Sequence, residues 1–572
     1  MSTIAKTDGR KEIAGRRVRW DEQRAKDAYA RGLWVRETPA DALKKAARET
    51  PDRLLIVDGD KRVTCKSLYD ESMSLAQAML ARAPVGSAVS FMLPNWYESA
   101  TIYLAADFAG MVVNPILPSL RDHDTAFILK DIDTRLIFAP ANFRKFDYAG
   151  MFSRITESMD NPPQIILLRG DAGPHTSYEA MLAEKHPPKP LPTIEPDAMW
   201  MVMFTSGTTG RPKGVMHSHN SLHALICQLR EFWHIAPNDA YFVPSPIGHI
   251  GGSIYVFEMP LLAGTRAVLA DTWNGEEALP IIERERCTHM AGAPIFLDGL
   301  VAAARKAGTR MPYFKVFCCG GASITPASIQ AGIETFEKAI VTRVYGSTEV
   351  PVITVGSQTF GDVKHASETE GRTAYAEIKL VDANGKTITG GEGEIYARGP
   401  QMLVGYLHAE DEAKSFDAEG FYKTGDLGTM VDGEYLVVSG REKDLIIRNG
   451  ENIAPKEIED ILLAHPDVQE IAIVGLPDPK TGERSVAVVV SKRPPGPDVA
   501  SLTAFLNNLG VAKFKFPEEV VLWDALPKND AGKVLKTHIR ATLKSARVAG
   551  AIAVCFSALS FAQLMLVPGV SL

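Results

Sequence analysis

Through residues 1–350 the chain keeps switching between two periods. Helix-length stretches such as SLYDESMSLAQAMLAR are followed by short apolar runs such as AVSFML, RLIFA and QIILL. The rhythm continues through AYFVPSP, RAVLAD, FKVFCCGG and AIVTRVYG, most of these runs stopping at Gly, Pro or Ser. Helical and strand periods in alternation are what α/β layers require, and open α/β sheets place ligands in the loops that follow their strands.

One such layer cannot account for the whole chain. Its 572 residues exceed what one hydrophobic core holds, since single cores stop growing near ~250–300 residues. From Glu377 to Arg398, and again from Gly433 to Ser439, Gly-separated pieces (AEIKLVDANGK, GEIYARG, GEYLVVS) predict a small β-rich unit with Asn-Gly and Asp-Gly turns. The large region ends near Arg441. After it, GREKDLIIRNGENIAPKEIEDILLAHPDVQEIAIVGL reads strand, turn, helix, strand, a compact α+β domain of ~100 residues.

A formal charge of −7 gives no basic field for a polyanion, so nucleic-acid binding is not expected. The six cysteines lack CxxC spacing, and the Lys- and Arg-rich start lacks an apolar signal core, so a cytoplasmic location is expected. Val548–Leu572 carries no charge and follows Lys544 and Arg547. As a helix it would reach ~37 Å. It can be read as a helix packed on the body, a tail translated from an altered frame, or a C-terminal segment that associates weakly with membrane.

The sharpest local signal is Thr205–Gly214, TSGTTGRPKG, entered from MWMVMF and left toward a helical stretch. Glycines let backbone N–H groups wrap phosphate oxygens, hydroxyls add donors, and a lysine supplies a point charge. It is a phosphate-cradling loop, but not the GxxxxGK[ST] loop, because Lys213 sits between Pro212 and Gly214 with no Ser or Thr placed for magnesium. A Gly-rich turn with no ligand is the plainer alternative for this segment alone.

Six further segments follow in order: GGAS (Gly320–Ser323), YGSTE (Tyr345–Glu349), YKTGD (Tyr422–Asp426), GREKD (Gly440–Asp444), NGENI (Asn449–Ile453) and PKNDAGKVLK (Pro527–Lys536). With the loop, they closely resemble the signatures of the adenylate-forming superfamily of acyl-CoA synthetases, peptide-synthetase adenylation domains and luciferases. The resemblance covers about residues 50–545.

It implies a large AMP-binding domain over 1–440, a hinge at 441–443 with Lys443 at the hinge position, a small mobile domain over 444–546 and a hydrophobic tail over 547–572. Thr205, Ser206, Gly207, Thr208, Thr209, Gly210 and Lys213 would hold the polyphosphate of ATP. Gly320, Gly321, Ala322, Tyr345, Gly346 and Ser347 would line the nucleotide, with the Tyr345 ring on adenine. Thr348 would meet the α-phosphate, and Glu349 would offer a hard oxygen ligand to Mg2+. Asp426 resembles the carboxylate that accepts both ribose hydroxyls, and Arg441 the arginine that contacts the nucleotide.

Lys533 resembles the lysine that bridges the acyl carboxylate and the α-phosphate, and Gly450 and Glu451 fall in the loop that faces a thiol. His249 and Gly251, in PIGHIGG, resemble the residues beside the acyl group, where Gly251 and Gly252 would leave room for a side chain. His217 and His219 have no third ligand at metal spacing and read as neighbours of the phosphate loop or as helix surface. Lys443 stands where many relatives carry Asp, Lys536 replaces the usual arginine, and GGASI replaces GGAPL.

The implied reaction is ATP-dependent formation of an acyl-adenylate, followed by transfer to coenzyme A with release of AMP, on a monomer or homodimer. Two alternatives stay open: a ligase that loads a carrier-protein thiol, and an inactive relative acting as an interaction protein. Intact Lys213, Glu349, Asp426 and Lys533 count against the second. The general look of the chain resembles cyclohexanecarboxylate, medium-chain or aromatic acid ligases.

Overall fold

The computed structural model describes residues 9–205, 211–322, 324–448, 451–478, 480–509, 511–529 and 532–545. The chain divides into two compact units, Met1–Thr424 with Gly428–Val438, and Gly425–Leu427 with Ser439–Leu572.

In the first unit the apolar runs become strands and the amphipathic stretches become helices. AVSFML contributes Ala88–Phe91, whose four residues are all buried. The helix Cys65–Arg82 begins with a capping box in which the Thr64 and Ser67 side chains accept from each other's backbone N–H. Its buried residues Leu68, Ser72, Leu75, Ala76 and Met79 repeat at the spacing of one helix face.

Seven strands form one sheet, in the order Ile340–Arg343, Val316–Cys319, His289–Gly292, Ala240–Val243, Arg266–Leu269, Leu54–Asp58 and Lys61–Thr64. Only the last pair is antiparallel. Eight strands form a second sheet: Thr176–Ser177, Gln164–Leu168, Thr134–Pro140, Ala88–Phe91, Val112–Pro115, Met201–Thr205, Lys213–His217 and Gly405–Tyr406. Its last two pairings are antiparallel.

A five-stranded sheet runs in the order Thr387–Ile388, Glu377–Val381, Gly393–Arg398, Tyr422–Val431 and Tyr435–Arg441, the β-rich piece read from the sequence. An antiparallel hairpin, Arg10–Ile13 with Arg16–Arg19, has no counterpart in the sequence reading. Ala14 (φ 48°) and Gly15 (φ 74°) make the doubly left-handed link that hairpin twist favours.

The second unit is a sheet covered on both faces. Val468–Asp478 pairs antiparallel with Gly482–Ser491. Ile471, Ile473, Ala487 and Val489 point to one side and pack on Ile458 and Leu462 of the helix Pro455–Leu462. Ala472, Val474, Val486 and Val488 point to the other and pack with Leu526, Ile539 and Leu543. A side-chain period of two thus builds two cores from one strand pair.

Among the described residues no helix is long and apolar enough to cross a membrane. Val548–Leu572 lies outside them.

Candidate functional site

The two described ends of the TSGTTGRPKG segment are paired strands. Met201–Thr205 pairs antiparallel with Lys213–His217, and Thr205 stands opposite Lys213. The chain therefore leaves through a strand before it reaches the helix His219–Phe232, where the sequence alone suggests a helix directly. The reason is burial: Val215 and Met216 are held between the 201–205 strand and Gly405–Tyr406. Ser206, Gly207, Thr208, Thr209 and Gly210 lie outside the described residues.

That pairing brings Tyr406 to the loop's lysine. Lys213 Nζ lies 5.5 Å from the centre of the Tyr406 ring and 3.7 Å from Asp411. Arg211 donates to both Asp411 carboxylate oxygens at 3.0 Å. The Tyr406 hydroxyl donates to Glu349 Oε1 at 3.0 Å, and the Tyr422 hydroxyl lies 3.3 Å from it. Burial, and next the Glu349 charge, push the Tyr406 phenol well above its ordinary range, so it remains a donor. Neither tyrosine's part here is visible in the sequence alone; for Tyr406 the only cue is an aromatic residue after Gly405.

Thr348 is fixed by a residue that the sequence presents as a bystander. His217 is fully buried, and its Nε2 donates to the Thr348 carbonyl at 2.8 Å while Nδ1 lies 3.1 Å from Ser221 Oγ. Burial lowers His217 to about 4, so the ring is neutral and its single proton belongs on the nitrogen facing the carbonyl. His219 is also inside, its ring 4.4 Å from that of Trp200 and its Nε2 3.3 Å from Asp107. Neither histidine lies on the helix surface, because strand pairing and the core close over both.

The remaining nucleotide-segment residues sit at the carboxyl ends of neighbouring parallel strands. Gly320 follows Val316–Cys319, and its N–H donates to Gly292 O at 3.0 Å. Gly321 (φ 82°) takes a backbone conformation that L side chains disfavour. Tyr345 follows Ile340–Arg343, its N–H bonded to Thr354 Oγ1 at 2.9 Å. A Cβ on Gly346 would lie 2.4 Å from Val352 N, and Ser347 Oγ accepts from Val350 N at 3.2 Å. The segment is a tight loop that presents Thr348 and Glu349. Ala322 is described and half-buried.

His249 stands just before the helix Ile250–Phe257. Among the described residues its Nε2 is buried with no hydrogen-bond partner, and burial lowers the ring to about 4. A Cβ on Gly251 would meet nothing within 4 Å among the described residues, whereas one on Gly252 would lie 2.2 Å from Pro246 O. Only Gly251 leaves room; Gly252 is needed for its own backbone contact.

In the second unit Arg441 Nε lies 2.8 Å from the buried carboxylate of Asp426. Lys533 closes a turn in which its N–H donates to Asn529 Oδ1 at 2.8 Å and Asn529 N–H donates to its carbonyl at 2.9 Å. Lys533 is an exposed residue, yet crowding of its ammonium end, and next the Arg441 charge, push it down to about 8. Lys443 is lowered by burial and then by Arg441. Lys536, in place of arginine, meets the buried Glu459 at 2.6 Å. Glu451 stands opposite Arg448 in an antiparallel strand pair, and Gly450 lies outside the described residues.

Among the described residues no group of three His, Cys, Asp or Glu side chains could cage a metal ion. A single carboxylate such as Glu349 still fits Mg2+, which is commonly held by one or two carboxylates together with substrate phosphates.

The AMP-binding enzyme model matches residues 43–407, and the AMP-binding enzyme C-terminal domain model matches 457–533. A medium-chain fatty-acid–CoA ligase of Escherichia coli (strain K12) is 34% identical, over 91% of this chain and 93% of its own. ATP-bound MatB from Rhodopseudomonas palustris superposes with a TM-score of 0.78 at 26% identity, over 88% of this chain and 99% of its own. The o-succinylbenzoate CoA synthetase of Bacillus subtilis, in complex with its acyl-adenylate intermediate, gives 0.76 at 25% identity, over 88% and 98%. Matched over both domains and along nearly the full length of such enzymes, the chain belongs to the AMP-binding enzyme family.

Proposed function

We propose that this chain is an acid–CoA ligase: it condenses a carboxylic acid with ATP into an acyl-adenylate and pyrophosphate, then transfers the acyl group to the thiol of coenzyme A and releases AMP. The observation that carries the reading is the convergence of Lys213 and Glu349 on Tyr406, beside Thr348 held by His217.

A carboxylic acid ordinarily titrates near pH ~4 and is already ionised at neutral pH, so it needs no general base. The difficulty is electrostatic, because two anions must meet. Lys213, at the mouth of the loop, neutralises polyphosphate charge. Thr348 offers its hydroxyl to the α-phosphate from a fixed backbone. Lys533 supplies the charge shared by the acyl carboxylate and the α-phosphate, Asp426 accepts from the ribose, and Arg441 holds Asp426 in place. Glu349 would hold Mg2+, which when bound neutralises phosphate oxygens. The hinge at 441–443, the thiol loop at Gly450 and Glu451, and a cytoplasmic location belong to the same proposal.

For the acid, the neutral His249 can donate to a carboxylate, and the space beside Gly251 admits an uncharged hydrocarbon chain. We assign the substrate to medium-chain or cyclic monocarboxylic acids. The test is pyrophosphate release over fatty acids of graded length, cyclohexanecarboxylate and benzoate, with and without coenzyme A. Turnover that needs coenzyme A supports the reading. Stoichiometric pyrophosphate release followed by transfer only to a carrier-protein thiol would replace it with the carrier-loading alternative.

A further inference from the structure

Glu412 is a buried carboxylate that joins the chain's N-terminal hairpin to the residue that grips Glu349. Its Oε1 accepts the Tyr406 backbone N–H at 2.9 Å and lies 2.6 Å from Arg10 Nη2. Its Oε2 accepts from Arg10 Nε at 3.3 Å and lies 3.5 Å from Arg19 Nη1. Arg19 also donates its backbone N–H to Val404 O at 2.7 Å, and its guanidinium lies 3.6 Å from the centre of the Phe416 ring. Gly405 (φ 128°) completes the fit: a Cβ there would lie 2.5 Å from Glu412 Oε1. This hairpin precedes the region that the family model matches, which begins at residue 43.

We infer that the hairpin Arg10–Arg19 is a positioning element of the adenylation site, in which Arg10 and Arg19, acting through Glu412, hold the Tyr406 backbone so that its hydroxyl stays on Glu349. The inference rests on the reading of Glu349 as the metal carboxylate. A buried carboxylate that lost both arginines would keep an uncompensated charge and move toward other donors, taking the Tyr406 N–H with it. Tyr406 is the group one step removed from the proposed metal ligand, where partners typically matter by ~10–100-fold in affinity or activity, and the arginines act through it, toward the lower end of that range.

The test compares Arg10→Ala/Arg19→Ala with the parent chain in four measurements: melting temperature, Mn2+ binding with a non-hydrolysable ATP analogue by electron paramagnetic resonance, single-turnover pyrophosphate release, and thioester formation from supplied acyl-adenylate. Mn2+ affinity and pyrophosphate release should each fall roughly tenfold, with thioester formation unchanged. Parallel loss of every reading with the melting temperature, or no loss in any, overturns the inference. If the double alanine chain does not fold, Arg10→Ala alone carries the same test, because it removes the nearer compensating charge, 2.6 Å from Glu412 Oε1, and leaves Arg19 in place; parent-like Mn2+ binding would then overturn it. Glu349→Gln separates the two levels. Unchanged Mn2+ binding in that variant would remove the metal reading itself, whatever the hairpin variants do.

Discussion

The Tyr406 hydroxyl donates to Glu349 across 3.0 Å, while Lys213 lies 5.5 Å from the centre of the same ring. One tyrosine therefore orients the carboxylate proposed for the metal and limits where the loop's lysine can go. Tyr406→Phe keeps the ring and removes the donor. A hydrogen bond to a charged group contributes about 1.5–3 kcal/mol, so pyrophosphate release should slow by roughly 10–100-fold. Thioester formation from supplied acyl-adenylate should not change, and equal losses in both steps would show that Tyr406 serves the fold and not the first step.

His217 invites a second substitution. Its neutral ring donates from Nε2 to the Thr348 carbonyl. His217→Leu fills similar space, leaves that carbonyl unpartnered, and should raise the KM for ATP more than it lowers the melting temperature. His217→Gln can place an amide N–H on the same carbonyl and should recover much of the loss. Leu and Gln variants with identical kinetics would mean that the ring only fills space.

The fold class is legible because its signals are local. A short, largely apolar run such as AVSF, with only Ser90 polar, forms a buried strand, and the helix-length stretch SLYDESMSLAQAMLAR forms most of the helix Cys65–Arg82. Lys213 and Glu349 stand out in the sequence because each sits inside a compact segment of distinctive composition. Tyr406 does not, because its meaning comes from pairing with Val215, far away in the chain. The two histidines mislead for the same reason: an imidazole beside a loop looks solvated until distant parts of the chain cover it, the paired strand Met201–Thr205 for His217 and Trp200 with Asp107 for His219. The N-terminal hairpin carries only Ile13 and Val18 toward the core among charged neighbours, too little alternation to announce a strand pair.

The proposed role of Lys533 implies a pH limit. Its amine is lowered from 10.5 to about 8, so the charge is present below that pH and is lost as pH rises through it. The kcat/KM for pyrophosphate formation, which reports free-enzyme groups, should therefore fall above about pH 8. Lys533→Ala should lose about 10²–10³ in the first step and spare thioester formation. Lys533→Arg, charged at every working pH, should abolish the alkaline limb even if its rate is low. Persistence of that limb would assign it to another group.

Gly251 and Gly252 give opposite expectations from adjacent positions. Both lie in the helix Ile250–Phe257, so neither depends on a left-handed backbone, and the difference between them is steric. A Cβ at Gly252 would lie 2.2 Å from Pro246 O and 2.6 Å from Ser245 O, both backbone atoms that cannot yield cheaply. Gly252→Ala should cost about 1–3 kcal/mol of stability and lower turnover of every acid alike. At Gly251 a Cβ meets nothing within 4 Å, and replacing a helical glycine removes a penalty of about 1 kcal/mol, so Gly251→Leu should melt at or above the parent temperature. If that space holds the acyl chain, the leucine shortens it. A hydrophobic pocket discriminates by about 1–3 kcal/mol per methylene, so kcat/KM should fall steeply beyond one chain length while shorter acids react at the parental rate. Graded fatty acids, assayed by pyrophosphate release on both variants, distinguish the outcomes. A uniform loss in Gly251→Leu, with no dependence on chain length, would move the acyl chain elsewhere and leave His249 without a substrate to meet.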